Sequence, residues 1–388
     1  MSVSAIVPTY NRARMLRECL ESLANQTHEI SQIIVVNDGS EDDTDEVVRE
    51  FDPTIILLNK PNGGKSSALN YGLAHCDAEY VWICDDDDVA APDGLARMVE
   101  ALEADPQAGF VFGTFQTFRD EEGRRIYEPA PKPVGRPDEA RIELRLLESM
   151  YTLQFAMLVR RSLYEIVGPF REDMIRSQDY EMTLRLAHAG RAIQLPDVIF
   201  YQRVHSGTRG TKGESFSIEQ NYRKWLTYDQ KIFTAVRRDY QVGDFLPSFA
   251  EAYDESRKIR AALIERACLM AMRSLWGEAA NDIKAATEGA SLALAEEERF
   301  AIRHLAIPEL AWDDLSEKDV YIQKIREASR ASPVGFQIVF ELFHPVLWLV
   351  RKKVRTGEIS RAMRLLRMLR KVLGFSGIAA KAAQAIRR

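Results

Sequence analysis

The chain reads as an α/β protein: a Rossmann-like, mostly parallel sheet with helices on both faces, followed by an α-helical C-terminal domain. Three observations predict this. Short apolar β-rich runs alternate with helically periodic segments through residues 3–90, and polar loops rich in Gly, Asn and Asp follow those runs directly. From about Phe216 the strand signals give way to Ala, Leu, Arg and Glu at helical spacing. With 388 residues, 46% apolar and 28% charged, the composition is that of a globular protein long enough for more than one core.

Val3–Val7 is a β-rich run, Pro8-Thr9-Tyr10-Asn11 is loop chemistry, and Arg14–Ala24 has the apolar spacing of a helix. The pattern repeats as a strand at Gln32–Val36, the turn Asn37-Asp38-Gly39-Ser40, and a helix through Thr44, Val47 and Val48 that must stop before Pro53. A third strand at Thr54–Leu58 leads through Asn62-Gly63-Gly64 into a helix over Lys65–Ala74, and Tyr80–Ile83 is the fourth strand. Apolar strands separated by helices imply parallel neighbours covered on both faces. Further on, Arg119–Arg124 reads as a hairpin turn. Prolines at 129, 131, 133 and 137 mark an irregular loop before a helix from Glu139. The expected organisation is 1–213 as a catalytic α/β domain, 214–330 as a helical domain and 331–388 as a basic amphipathic helical tail.

Net charge is −6, but residues 351–388 hold twelve Lys/Arg against Glu358 alone, so the tail carries +11 and the remainder −17. At about 100° per residue, Ala362, Leu365, Leu366, Leu369, Val372 and Leu373 share one helix face, opposite Arg364, Arg367, Arg370 and Lys371. Such a helix docks on an anionic membrane surface through 351–388 or packs its apolar face on its own domain. Nucleic acid is not an expected partner, because aromatic residues do not interleave the basic ones. Cys19, Cys76, Cys84 and Cys268 lack metal-ligand spacing and no signal peptide precedes Val3. Both point to a reduced, cytoplasmic setting, with peripheral attachment at the inner face of the cell membrane as the alternative. The segment 334–350 is interrupted by Gln337, Glu341, His344 and Pro345 and falls short of the roughly 20 apolar residues of a spanning helix, so no transmembrane helix is predicted.

The strongest chemical signal is Asp85-Asp86-Asp87-Asp88, directly after Val81-Trp82-Ile83-Cys84. Carboxylates crowded at a strand end repel one another and raise each other's pKa unless a cation sits among them, and hard oxygen ligands favour Mg²⁺ or Mn²⁺. A solvated acidic loop is the bland alternative. In parallel α/β sheets, ligands sit beyond the carboxyl ends of the strands. Residues 9–12, 38–40, 62–66 and 85–88 all occupy that position. Singly they are a turn, a glycine loop or a helix cap. Together, with Lys65 at a helix start, they describe a phosphate-and-metal pocket.

These residues resemble a known family. Ala5-Ile6-Val7-Pro8-Thr9-Tyr10-Asn11-Arg12, Val35-Val36-Asn37-Asp38-Gly39-Ser40 with Asp43-Thr44, Asn62 to Gly72, and the four aspartates with Pro92 are similar, in order and spacing, to the opening of the inverting family 2 glycosyltransferases of the A-type fold. The resemblance spans about Ser2 to Arg209. It implies a nucleoside diphosphate sugar donor, with Pro8, Thr9 and Tyr10 bordering the base and Arg12 and Gly39 in the same pocket. Asp38 would accept a hydrogen bond from the base, which suits uridine. Lys65 would face the diphosphate, Asp85 the ribose or the metal, and Asp87 would ligate Mn²⁺ or Mg²⁺. Asp86 and Asp88 reach the sugar or flank the site.

The resemblance further implies a catalytic base. Ser177-Gln178-Asp179-Tyr180-Glu181 is similar to the family segment that is usually Glu-Asp, with Gln178 replacing the Glu, so Asp179 is the expected base and Glu181 the fallback. The local alternative for Asp179 is a helix N-cap. In Tyr201–Arg209, His205 is a metal-ligand candidate, while Arg203, Arg209 and Lys212 are candidates to close over the diphosphate, with Gly207, Gly210 and Gly213 supplying mobility. Leu153–Arg160 and Gly168-Pro169-Phe170 resemble the acceptor side. Gln220–Trp225 is superficially similar to a motif of processive synthases, but its spacing is off by one. The reading is an inverting, metal-dependent transferase acting on a glycan, lipid-linked or small acceptor in bacterial surface polysaccharide assembly. The rival is a non-catalytic nucleotide-sugar-binding or scaffold protein.

Overall fold

The computed structural model describes residues 1–51, 55–121, 124–129, 141–204, 218–288, 293–305 and 307–386. The chain divides into two compact units, one of Met1–Val134 with Ser149–Asn221, the other of Gly135–Glu148 with Tyr222–Arg388.

The first unit is built on strands β1 (Val3–Thr9), β2 (Gln32–Asn37), β3 (Ile55–Asn59), β4 (Tyr80–Ile83), β5 (Val89–Ala90), β6 (Ala108–Glu121), β7 (Arg124–Tyr127), β8 (Met157–Arg160) and β9 (Arg191–Arg203). They form one sheet of order β3-β2-β1-β4-β8-β6-β9-β5, with β7 on β6. The first four strands are parallel, as their apolar runs predict. Beyond β4 the sheet is mixed: β8 runs antiparallel to β4 and β6, β9 parallel to β6, and β5 antiparallel to β9. Nothing in the sequence pattern of 191–203 announces a strand, because Pro196 interrupts it, and the pairing with β6 carries register shifts. Strands β6 and β7 pair antiparallel, with Glu121 opposite Arg124, and residues 122 and 123 between them lie outside the described residues.

The connecting helices are α1 (Ala13–Ala24), α2 (Thr44–Arg49), α3 (Lys65–Leu73), α4 (Gly94–Ala104), α5 (Ile142–Glu148), α6 (Arg161–Val167) and α7 (Gln178–Ala189). Alternation sets which side each strand residue serves. Val3, Ala5 and Val7 pack with Leu16 and Leu20 of α1 and Leu95 and Met98 of α4. Ile6 and Val36 point the other way, against Gly72 of α3. The third strand is described from Ile55, and Thr54, its expected start, lies outside the described residues, as do Pro131, Pro133 and Pro137. The helix expected from Glu139 is α5, which groups with the second unit.

That unit continues with α8 (Ile218–Asp239), α9 (Glu255–Met272), α10 (Trp276–Ala285), α11 (Glu296–His304), α12 (Glu309–Ser316), α13 (Asp319–Arg330), α14 (Pro333–Leu342), α15 (His344–Arg355) and α16 (Ile359–Ile386, broken at Gly374). Local chemistry sets several starts. Asp254 caps α9 by accepting from Arg257 N–H at 3.0 Å, and Ser332 caps α14 by accepting from Gly335 N–H at 3.0 Å with Pro333 next to it. The core gathers Trp276, Trp312 and Phe343, whose ring centroids are 5.1 and 5.0 Å apart in sequence. Residues 333–355 have the length and hydropathy to cross a membrane, yet they form two helices meeting at Phe343, and 56% of the apolar window is buried in the protein.

The amphipathic reading of α16 is resolved in favour of intramolecular packing. Leu365, Met368, Leu369, Val372 and Leu373 are all buried. Exposing five such side chains gives up on the order of 10 kcal/mol, whereas each basic residue at an anionic surface returns about 1 kcal/mol. The apolar face of α16 is therefore not a membrane-docking face.

Candidate active site

The loops after β1, β2 and β3 are tied to one another. Asn11, at φ +52°, donates its N–H to Ser40 Oγ at 2.9 Å and accepts from Glu41 N–H at 2.7 Å, while Ala13 N–H donates to Asp42 at 2.9 Å. Asp38 is buried, and its carboxylate accepts from Lys60 Nζ at 2.6 Å, Gly63 N–H at 2.9 Å and Gly64 N–H at 2.7 Å. Gly39 follows at φ +80°, and a Cβ there would lie 2.9 Å from Asn62 N. Asp38 thus fastens the glycine loop. Three of its roughly four acceptor positions are filled, leaving about one for a base N–H.

The aspartates after β4 divide into two sets. Asp86 and Asp87 are buried, and Arg12 Nη1 lies 2.8 Å from a carboxylate oxygen of each. Burial pushes the Asp86 carboxyl up to about 6, with Arg12 opposing the rise and Asp87 adding to it. Burial also pushes Asp88 well up, although Asp88 accepts from Arg203 N–H at 2.7 Å. Asp85 is partly exposed and ion-paired with Lys65 Nζ. Cations among the aspartates are therefore supplied partly by the chain itself, through Arg12 and Lys65. Among the described residues no three His, Cys, Asp or Glu side chains converge as a ready-made metal cage. The donor chemistry still fits a hard divalent ion, since Mg²⁺ characteristically takes one or two carboxylates and completes its shell with substrate phosphates and water. His205, Arg209 and Lys212, with Gly207, Gly210 and Gly213, lie outside the described residues.

Asp179 sits in the first turn of α7, after Ser177 at φ +58°. Its Oδ1 accepts from Tyr180 N–H at 2.9 Å. Burial raises its pKa, while the Lys65 ammonium lowers it and Asp85 raises it further. Lys65 in turn is held protonated by Asp85 and Asp179 against the opposing effect of burial. Lys65 at the start of α3, Asp85 after β4 and Asp179 in the first turn of α7 thus act on one another. Pro8 and Thr9 are buried at the end of β1, and Tyr10 and Gly39 reach the surface beside them.

Residues 4–167 match the family model for glycosyl transferase family 2. The likeness to that family is carried by residues 4–167. An uncharacterized glycosyltransferase of Rickettsia typhi is 29% identical over 233 residues, covering 59% of this chain and 72% of that one. Chondroitin synthase of Pasteurella multocida is 26% identical over 259 residues, 66% of this chain but only 25% of its own length. Residues 1–349 of TarS from S. aureus share the fold at 17% identity and a TM-score of 0.52, with 92% of each chain covered.

Within the N-terminal unit, two expected roles are corrected. Glu181 is buried and bound on both oxygens by Arg185, at 3.0 and 2.8 Å, and Arg185 also donates to Val167 O and Pro169 O. A carboxylate locked in that clamp is structural and is not a spare base. Arg203 does not swing over a diphosphate either. It is buried, paired with Glu18 and Asp120, donates to Asp87 O at 3.0 Å, and lies 4.7 Å over the Phe118 ring. Two residues escape the sequence reading. Lys60 has only its place before Pro61 to mark it. Asn70 joins α3 to the loop at Gly168-Pro169-Phe170, donating to Phe170 O at 2.9 Å and accepting from Phe170 N–H at 2.8 Å.

Proposed function

We propose that this unit is an inverting, metal-dependent glycosyltransferase that moves a sugar from a nucleoside diphosphate, with uridine favoured, to a glycan, lipid-linked or small acceptor. The observation that carries the reading is the ion pair between Lys65 and Asp85 at the end of β4, whose charges both bear on the buried Asp179 and so support a carboxylate base beside the cation of the diphosphate site. Asp179 takes the proton of the acceptor hydroxyl as that oxygen bonds to the anomeric carbon. The anomeric C–O bond to the β-phosphate breaks on the opposite face, and the nucleoside diphosphate leaves with the electron pair. Lys65 offsets the charge growing on the departing phosphate. Asp87 and Asp85, with His205 as a further candidate, would hold a Mn²⁺ or Mg²⁺ that lends the same electrostatic stabilisation. Asp38 orients the base through its free acceptor position while holding the glycine loop.

The uridine preference draws support from TarS, which was crystallised with UDP-GlcNAc. A polysaccharide setting draws support from the likeness to chondroitin and hyaluronan synthases of Pasteurella multocida. Four free, buried cysteines suit the reduced cytoplasm. The test is nucleoside diphosphate release from uridine, guanosine and thymidine diphosphate sugars with Mn²⁺, using wild type and Asp87→Ala. Release from one donor, lost in the variant, is expected. Donor binding by calorimetry without turnover from any donor would favour the binding-protein alternative.

A further inference from the structure

Packing the apolar face of α16 inward leaves a different surface outward. Along α15, Trp348, Arg351, Lys352 and Arg355 fall at helical spacing on one exposed face, with Trp348 63% exposed. After the turn, Ile359 and Met363 are 53% and 50% exposed at i, i+4 on α16, and Arg367 extends their stripe. The basic residues of these two helices sort into two groups. One group is answered by carboxylates: Lys352 and Lys353 by Glu309, Arg361 by Asp313 and Glu358, Arg364 by Glu317, and Lys371 by Asp319. Arg351, Arg355 and Arg367 carry no ion pair among the described residues. Unanswered guanidinium groups therefore stand beside an exposed indole and exposed aliphatic side chains.

We propose that the outward face of α15 and the start of α16, centred on Trp348, Arg351 and Arg355, is a docking surface for an anionic phospholipid bilayer. The arginines meet lipid phosphates, the indole lies at headgroup depth, and Ile359 and Met363 reach the acyl boundary. A polynucleotide fits less well, since it asks for stacked aromatics and Trp348 is alone on this face. The proposal does not depend on the donor chemistry, so its test reads no enzymatic activity.

The full chain is sedimented with vesicles of phosphatidylcholine alone, and with vesicles carrying about 30% phosphatidylglycerol to supply anionic headgroups. Binding is expected only to the anionic vesicles and is lost at about 0.5 M salt, where surface attraction is screened. Each arginine is worth about fivefold in partitioning, so Arg351→Gln/Arg355→Gln loses about 25-fold. Trp348→Ala weakens binding by about tenfold through lost interfacial contact. Arg238→Gln/Lys258→Gln, removing the same charge from α8 and α9, leaves binding unchanged. Failure of the wild type to bind anionic vesicles would overturn the proposal. So would equal losses in the two double variants, or binding to oligonucleotides without binding to vesicles.

Discussion

The two units treat buried carboxylates in opposite ways. In the helical unit three are answered by guanidinium: Asp282 by both Arg237 and Arg266, Glu341 by Arg299 and Arg303, and Glu298 by Arg260. On the rim of the sheet, among the described residues, the balance is reversed. Asp86 and Asp87 share Arg12, Asp85 has Lys65, and Asp88 has a backbone N–H of Arg203. Cations in excess of carboxylates lock helices to one another. Carboxylates in excess of cations are stable in a fold chiefly where something positive arrives to answer them, which marks the rim as the functional region.

The comparison breaks most visibly at Asp179. Asp179→Asn is expected to lower turnover by roughly 10²–10⁴, with donor affinity and melting temperature close to wild type, measured by coupled assay, calorimetry and thermal denaturation. In the helical unit the signature is the converse. Asp282→Asn takes the carboxylate from Arg266 and leaves Arg237 with Glu278 alone, and is expected to lose about 3–5 kcal/mol of stability in a denaturant titration, with donor affinity of the folded fraction retained.

A pH profile sharpens the contrast. Burial raises the pKa of Asp179, so the carboxyl holds its proton at pH values where an ordinary aspartate, near about 3.9, has lost it. A base acts only when ionised, so kcat/KM falls as pH drops through that raised value. Lys65 pulls the value down, so Lys65→Met is expected to move the acid limb upward even though it also weakens turnover. The smallest effect is expected at Glu181→Gln: about 1–2 kcal/mol of stability from the weakened Arg185 clamp and less than about tenfold in turnover.

Much of this contrast is already legible in the order of residues. Parallel strands buried on both faces give uninterrupted apolar runs, which is why β1 to β4 and the loops after them can be placed from Val3–Val7, Gln32–Val36 and Tyr80–Ile83. β9 is hidden because Pro196 breaks its alternation and bulges shift its register. Pairings between distant residues leave no local trace: nothing near Lys60 announces Asp38, and nothing near Arg12 announces Asp87. Glu181 and Arg203 carry plausible chemistry in plausible places, and only their partners show that they are structural. The periodicity of α16 states that one face is buried and is silent on what covers it.

The central claim is that Asp179 is the base of a glycosyl transfer fed by the rim. Its most direct test is nucleoside diphosphate release with Mn²⁺ from a uridine diphosphate sugar, comparing wild type with Asp179→Asn at donor concentrations where calorimetry shows both proteins occupied. The account predicts release by wild type and its near-complete loss in the variant at equal donor occupancy. Equal release by the two proteins, or none from an occupied wild type with any acceptor tried, would contradict it.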